Sequence, residues 1–409
     1  MTMTRRGMLK AAGAGAALAG SGYAIPKALA DALKLPAALS EGTRAAAVLD
    51  ALPGKKPLIK LSYRPPNYET PIELLGGNGI TPNDAFFVRY HIADIPEVDA
   101  KTWKVKVGGD GANGTAELSL ADLKRMPAHE VTAVCQCSGN RRGLFSPHVA
   151  GVEWGYGAMG CARWRGARLK DVLNKVGLKQ EAIEIVFDGA DNAIVQKTPD
   201  FVKSIPLAKA LDENTLLAYE MNGAPLPHWN GFPARIVLPG WTGTYWVKHV
   251  ISINAVTKPF DGFWMKVAYR IPVNKFPTEL FKTQTTDVNT PITEMVVNSL
   301  ITSHADGAQV KAGSAATLSG IAWDAGDGIA KVEASSDGGA SWKPATLGPD
   351  LGRFAFRPFS FTTPPLAAGA HKVSVRAENK KGQKQVTELI LNPAGYHHNV
   401  VQTLTLNAA

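Results

Sequence analysis

The residues best suited to chemistry lie in stretch 132–143, where an apolar run ends in two cysteines, a Ser-Gly-Asn turn and two arginines. Because side chains alternate along a strand, Cys135 and Cys137 should share one face. A thiol beside fixed cations is expected to ionise below its free pKa of about 8.5, and a thiolate is a soft metal ligand. Arg141 and Arg142 carry planar donor groups that suit an oxyanion. The stretch therefore indicates a metal–thiolate centre beside an anion pocket, and two buried core thiols are the alternative.

The composition is that of a globular protein with two domains. The chain has 409 residues, of which 45% are hydrophobic and 19% are charged; this length exceeds one ordinary domain, and this composition excludes a disordered chain. The net charge is +9, and four of the positive charges (Arg5, Arg6, Lys10 and Lys27) precede the first acidic residue, Asp31. The remainder fits an anionic substrate or an acidic partner, and no basic run indicates nucleic-acid binding. Three cysteines are too few for a disulfide framework.

Residues 1–30 are interpreted as an export signal. Arg5 and Arg6 precede a mildly apolar stretch rich in alanine and glycine, and residues 28–30 form a small-x-small cleavage site. The paired arginines resemble a twin-arginine signal, a route that exports folded proteins, so we expect a periplasmic protein. An N-terminal anchor helix is the alternative, but the stretch is short for a bilayer span. No other segment is long enough to cross a membrane.

The rest of the chain divides by pattern into a lead-in (31–70), a mixed domain (71–285) and an all-strand domain (286–409). The mixed domain has no regular βαβ rhythm, which predicts an α+β fold. Strand signals at 8–12-residue spacing in the last part predict a β-sandwich. Helices are predicted after Ser119 and over 168–176, and strands over 103–107, 183–187, 215–221, 235–238, 248–253, 315–323, 329–335, 353–361 and 371–377.

Residues 86–92 form a further predicted strand because they are rich in aromatic and β-branched side chains. Its period of two places Phe87, Arg89 and His91 on one face. Two cationic or ionisable groups would then point the same way, towards an anion. A solvated strand face is the alternative interpretation.

Several stretches in a fixed order resemble the sulfite oxidase family of molybdenum–pterin enzymes. The resemblance runs from about residue 67 to the C-terminus, and the ordered set carries it rather than any single fragment. Its pieces are residues 86–91, 137–142, 162–166, 187–191, 216–227, 231–235, 247–248 and 335–342. It favours a metal site over a pair of core thiols.

The resemblance implies a molybdopterin-binding domain of mixed α/β structure, followed by an immunoglobulin-like β-sandwich that serves dimerisation. It assigns the molybdenum to Cys137 rather than Cys135. The groups around the metal and the substrate anion would be Arg89, His91, Arg142 and Tyr269. The residues that hold molybdopterin would be Phe87, Val88, Arg89, Tyr90, His91, Asp191, Asn230, Arg235, Val247 and Lys248. Cys161 is interpreted as structural.

Three departures from the family pattern bear on anion affinity. Tyr90 stands where the family usually has asparagine, and Asn230 stands where it has a histidine. His397 and His398 lie where many relatives offer an arginine to the substrate. The exact substrate therefore depends on how these positions are arranged in space.

The resemblance implies oxidation of sulfite to sulfate, with electrons passed singly to a c-type cytochrome or a haem subunit, in a homodimer or a heteromer. The chain has no Cys-x-x-Cys-His motif, so a separate acceptor is expected. One alternative is the molybdenum subunit of a sulfane dehydrogenase in a thiosulfate-oxidising complex. Reduction of an oxidised side chain is a weaker alternative, because those reductases resemble the molybdenum domain alone. A non-enzymatic, exported anion-binding protein is the third.

Overall fold

The computed structural model describes residues 48–195, 199–272 and 289–409. The predicted export signal at residues 1–30 lies outside the described residues, as does most of the predicted boundary between the two domains. Within the described ranges, no helix has the length and apolar character needed to cross a membrane. All three cysteines are buried and free.

The lead-in contains strands that the sequence did not indicate. β1 (Val48–Asp50), β2 (Leu58–Ser62), β3 (Asn67–Glu69) and β4 (Val88–Arg89) form a four-stranded antiparallel sheet in that order. The strand predicted over 86–92 is therefore only two residues long. Arg89 pairs with Asn67, and the preceding partner position is Pro66, which has no N–H and ends the ladder.

The middle of the chain builds two further sheets and four short helices. One sheet has the order β10-β9-β14-β5-β6 and the other β12-β11-β8-β7, with β13 on β11. The strands are β5 (Lys104–Gly108), β6 (Ala116–Ser119), β7 (Ala128–Gln136), β8 (Met159–Arg168), β9 (Glu184–Gly189), β10 (Lys203–Pro206), β11 (Leu216–Met221), β12 (Ala224–Pro225), β13 (Arg235–Val237) and β14 (Val250–Val256). The helices are α1 (Leu120–Arg125), α2 (Leu169–Leu173), α3 (Leu207–Ala210) and α4 (Phe263–Lys266).

Local sequence signals account for the ends of the helices. Ser119 and Asp122 form the predicted capping box at the start of α1, with each side chain accepting from the other residue's backbone N–H. The helix predicted over 168–176 is shorter, because α2 ends at Leu173 and the chain leaves by a turn to Gly177. Gly177 has a φ of +65°, a conformation that favours glycine after a helix.

The C-terminal part is the predicted β-sandwich. Its sheets have the orders β17-β19-β23-β22 and β18-β25-β24-β20-β21. The strands are β17 (Asn298–Ile301), β18 (Ala308–Val310), β19 (Thr317–Trp323), β20 (Ile329–Ser335), β21 (Lys343–Pro344), β22 (Thr346–Leu347), β23 (Arg357–Thr362), β24 (Gly369–Asn379) and β25 (Gln402–Ala408). A two-stranded sheet of β15 (Arg270–Pro272) and β16 (Asn289–Pro291) precedes it. Val332, Phe359 and Val373 belong to a core cluster within the sandwich.

Glu69, at the end of β3, holds residues 155–157, which are hydrogen-bonded to the turn that follows Cys137. Its carboxylate is fully buried and accepts from the backbone N–H groups of Gly155 and Gly157, each at 2.7 Å. Burial raises the pKa of Glu69 to about 7, and these amides oppose the rise. The Gly155 carbonyl in turn accepts from the N–H of Arg141 at 2.8 Å. Glu69 therefore positions the cysteine turn indirectly.

We expect Glu69→Ala to destabilise the fold by about 2–4 kcal/mol, since it leaves two buried amides unpaired and opens a cavity. The midpoint of thermal or urea unfolding measures the change. Glu181→Ala, which removes an exposed carboxylate, is the control. Equal midpoints for the two variants would show that the Glu69 contacts contribute nothing to stability.

Candidate active site

A cleft forms where the end of β7 meets β4 and the loops before and after β13. Eleven of the residues predicted from sequence line it together: Phe87, Arg89, Tyr90, His91, Cys137, Asp191, Asn230, Arg235, Val247, Lys248 and Tyr269. Val88 does not; it packs on the opposite side, in a cluster with Leu58 and Tyr68.

Both thiols of the Cys-Gln-Cys sequence line the cleft. Cys135 is the penultimate residue of β7, and Cys137 begins the turn, where its carbonyl accepts from the N–H of Asn140 at 2.9 Å. Burial raises the pKa of Cys135 to about 11, although Arg235 opposes the rise. The expectation of an easily ionised thiol is therefore wrong for Cys135. Cys137, which begins the turn, stays the predicted metal ligand.

The paired arginines do not line the cleft, contrary to the expectation of an anion pocket beside the thiols. Arg141 has a φ of 68° and donates to the carbonyls of Ser299 and Val400. Arg142 donates to the carbonyls of Ala394 at 2.9 Å and Val152 at 3.2 Å. Both guanidinium groups thus bind backbone oxygens, because the turn points them towards the C-terminal part of the chain.

Arg142 contacts the first of two stacked aromatic rings, and the second ring lines the cleft. Its guanidinium carbon lies 5.3 Å from the ring centre of Tyr396. The Tyr396 ring lies parallel to that of Tyr269, with 5.7 Å between centroids. A substrate role for Arg142 remains a prediction, and the structure places this residue one layer behind Tyr269.

The cations that line the cleft come from other segments. Arg235 is 4% exposed and lies near the faces of Trp164 and Trp246. It donates to the carbonyls of Asn230 and Trp246, each at 2.9 Å. Lys248 donates to the Trp229 carbonyl at 3.3 Å. Aromatic rings and backbone oxygens therefore hold these basic side chains.

Asp191 is the one carboxylate among the described residues that line this cleft. Burial raises the pKa of Asp191, and Lys248 opposes the rise. Burial also lowers the pKa of Lys248, with a further contribution from Arg235. One carboxylate faces three basic side chains (Arg89, Arg235 and Lys248) among the described lining residues, so the cleft favours an anionic ligand.

The end of the cleft near Arg89 has an aromatic wall. Nε2 of His91 is hydrogen-bonded to the Tyr269 hydroxyl, and the His91 ring stacks on Phe201 with 3.7 Å between centroids. Burial lowers the pKa of His91 well below its usual value, and Arg89 and Lys248 add to this. His91 is therefore a neutral imidazole. Tyr269 has a φ of 58°, a strained conformation that is concentrated at functional sites.

Sequence reasoning missed several lining residues, including Ser138, Phe201, Thr244, Trp246 and His249. His249 has a φ of 50° and bonds to the Tyr90 hydroxyl at 2.8 Å. Its position next to Lys248 was a usable signal. Phe201 had none, because it follows a loop and carries no polar group.

The lining residues fit an anionic cofactor. Thr244 Oγ1 and Arg235 Nε are buried and have no hydrogen-bond partner in the described part of the chain, which is costly unless a ligand supplies one. Among residues 48–195, 199–272 and 289–409, no cluster of three or more His, Cys, Asp or Glu side chains could hold a metal. A metal bound by Cys137 would therefore need most of its ligands from a cofactor.

Comparison with known proteins agrees with this reading of the cleft. Residues 92–264 match the family model of the oxidoreductase molybdopterin binding domain, and residues 289–403 match that of the Mo-co oxidoreductase dimerisation domain. Mitochondrial sulfite oxidase of Mus musculus is 39% identical over 303 residues, covering 72% of this chain and 54% of the mouse protein. Sulfite oxidase of Arabidopsis thaliana is 33% identical over 315 residues, covering 74% of this chain and 79% of the plant protein.

A solved structure shares the whole architecture. The sulfane dehydrogenase SoxCD from Paracoccus pantotrophus superposes with a TM-score of 0.73 and 24% identity, covering 91% of this chain and 92% of that chain. At this identity the likeness shows the fold alone. It agrees with the predicted α+β domain followed by a sandwich.

The fold, the cleft and the two family models define a molybdopterin-binding oxidoreductase with a dimerisation domain. The identity with sulfite oxidases then shows that the chain belongs to the sulfite oxidase family, and that its cofactor is molybdenum bound by molybdopterin. The predicted cofactor is thus confirmed. The chain spans about half the length of the mouse and human enzymes, 54% in each case.

Proposed function

We propose that this protein oxidises sulfite to sulfate. One observation carries the proposal: a single cleft combines the Cys137 thiol, three basic side chains (Arg89, Arg235 and Lys248) and the Arg89–His91–Tyr269 wall. The overall reaction consumes one water and releases two protons and two electrons for each sulfite. The cofactor, when bound, supplies the two-electron oxidation and the transfer of an oxygen atom.

The residues of the chain bind and orient the anion. The Arg89 guanidinium donates from one nitrogen to Asn67 Oδ1 at 3.1 Å and to the Tyr90 carbonyl, which fixes its direction and leaves its other N–H groups for a substrate oxygen. Neutral His91 holds the Tyr269 hydroxyl by a hydrogen bond. Phe201 and Trp264 lie against His91 and exclude water from this end of the cleft, which strengthens the charge–anion interactions.

The test is a stopped-flow assay of the molybdenum-loaded protein with sulfite, using mammalian cytochrome c and ferricyanide as acceptors. We expect sulfite-dependent reduction of two equivalents of acceptor for each sulfate formed. Turnover of a carrier-bound sulfane with none of free sulfite would identify a sulfane dehydrogenase. Binding of sulfite without reduction of any acceptor would leave only an anion-binding protein.

Arg142→Met should raise KM for sulfite about tenfold, a loss of about 1.4 kcal/mol of binding, because the cation behind Tyr396 and Tyr269 is removed. The variant also removes the Arg142 donor from the Ala394 carbonyl, so a modest loss of stability of about 1 kcal/mol accompanies it. Steady-state kinetics and the melting temperature separate the two effects. Arg163→Met, at an exposed position, controls for charge. An unchanged KM would exclude Arg142 from substrate binding.

We also propose the assembly, the electron acceptor and the location that the sequence predicts. The protein forms a dimer through the sandwich and passes electrons to a c-type cytochrome or a haem subunit. It reaches the periplasm by the twin-arginine route. The dimerisation-domain match supports the first of these, and the paired Arg5 and Arg6 support the last. Fractionation of cells that produce the wild type and an Arg5→Lys, Arg6→Lys double variant tests the route. Equal periplasmic amounts of both proteins would contradict it.

A further inference from the structure

Lys55 is a buried lysine outside the residues that match the molybdopterin-binding model. It follows β1 and is 8% exposed. Its Nζ donates to three oxygens: the carbonyl of Asn83 at 2.6 Å, the carbonyl of Phe86 at 3.0 Å and Oδ1 of Asn230 at 2.6 Å. Three acceptors match the three protons of an ammonium group, so this side chain forms a complete bridge.

The three acceptors belong to segments that build the cleft. Phe86 and Asn230 both line it. The Asn230 amide, held by Lys55 through its oxygen, donates through Nδ2 to the Phe87 carbonyl at 3.2 Å. The Asn230 carbonyl accepts from Arg235 at 2.9 Å. A single ammonium group thus ties the β4 segment to the loop that holds Arg235.

The charge of Lys55 is costly to bury. Burial lowers its pKa to about 7, and Asp84 at the surface opposes the drop.

The bond to Asn230 joins Lys55 to a residue 175 positions later in the chain. The neighbouring contact of Trp229 Nε1 with the Pro53 carbonyl, at 3.0 Å, reinforces the same junction.

We propose that Lys55 is a positioning residue for the molybdopterin cofactor. It holds Asn230 and the backbone of residues 86–87 in the arrangement that closes one wall of the cleft. Its removal frees the Asn230 side chain to rotate, and the wall loosens around the bound cofactor. The proposal rests on the cofactor-binding role of the cleft and does not depend on sulfite as the substrate.

The experiment measures cofactor release. Loaded wild type and Lys55→Met are diluted into buffer with an excess of a molybdopterin-binding apoprotein, and the pterin that leaves is oxidised and quantified by fluorescence. We expect release at least tenfold faster from Lys55→Met, with a lower molybdenum content on purification. Lys60→Met, which removes a half-exposed lysine paired with Asp50 at 2.9 Å, should release at the wild-type rate.

A double-mutant cycle tests the route through Asn230. If Lys55 acts through this amide, the double variant of Lys55→Met and Asn230→Ala releases no faster than Asn230→Ala alone. Lys55→Gln, which keeps donors, should show an intermediate rate and replaces Lys55→Met if the latter does not fold. Release at the wild-type rate, with equal losses of melting temperature in apo and loaded protein, would overturn the proposal. A loaded protein inert to sulfite would contradict the proposed function instead.

Discussion

Replacing Cys137 with serine should abolish turnover, with a loss of at least about 10³-fold, which corresponds to about 4 kcal/mol of activation free energy. A serine hydroxyl stays protonated and is a hard donor, so it does not replace a thiolate at a soft metal. Cys137 is 8% exposed, and a serine at this site changes the volume little. The loss should therefore be chemical, with the fold retained.

Cys135→Ser is the matched control, because both thiols line the same cleft. Burial raises the pKa of Cys135 to about 11, and its sulfur lies 3.9 Å from an Arg235 nitrogen. We expect this variant to keep at least about a tenth of the wild-type rate. The measurements are molybdenum content, sulfite turnover and melting temperature. A similar loss in both variants would contradict the assignment of the metal to Cys137.

Arg235→Met should release the cofactor. The guanidinium is buried against two tryptophan rings, and its Nε has no hydrogen-bond partner among the residues that the structure describes. Removing a buried, charge-assisted contact with an anion costs about 2–5 kcal/mol, equivalent to a fall in affinity of about 30-fold or more. Molybdenum and pterin content of the purified protein, followed by titration of the apoprotein with cofactor, measure the loss.

Arg235→Lys separates charge from shape. Lysine keeps the positive charge but lacks the planar fork and stacks less well on Trp164 and Trp246. We expect it to recover only part of the cofactor content. Full recovery would show that charge alone acts at this position, and wild-type cofactor content in Arg235→Met would remove Arg235 from the binding site.

Local patterns predicted much of the fold. The capping box at Ser119 and Asp122 forms as expected, since both partners lie within one turn. The strands at residues 315–323 and 329–335 lie close to their predicted bounds, because alternation and flanking turns are local features. The short strands of the lead-in were missed, because runs of three to five residues between prolines carry little periodicity.

The sequence predicted many of the residues that line the cleft, but it did not predict where every side chain points. Eleven of them line one cleft, since the order of several short motifs carried their identity. Arg142 was expected to face the anion, and instead its Nε donates to the carbonyl of Ala394, 252 residues later. The left-handed backbone of the preceding residue, Arg141, decides that direction, and no sequence signal indicated it.

By itself, the sequence determined the family, the molybdenum–pterin cofactor and an α+β domain before a sandwich, and it predicted that a cysteine, several basic residues and a tyrosine act with that cofactor. Residue types and the periodicity of apolar side chains are properties of the sequence itself, so these features can be predicted without a structure. Only the tertiary structure decided that Cys135 is buried beside Arg235, where the arginine pair points, and that Lys55 reaches Asn230. Burial and contacts between distant segments set these properties, and both arise only when the chain has folded.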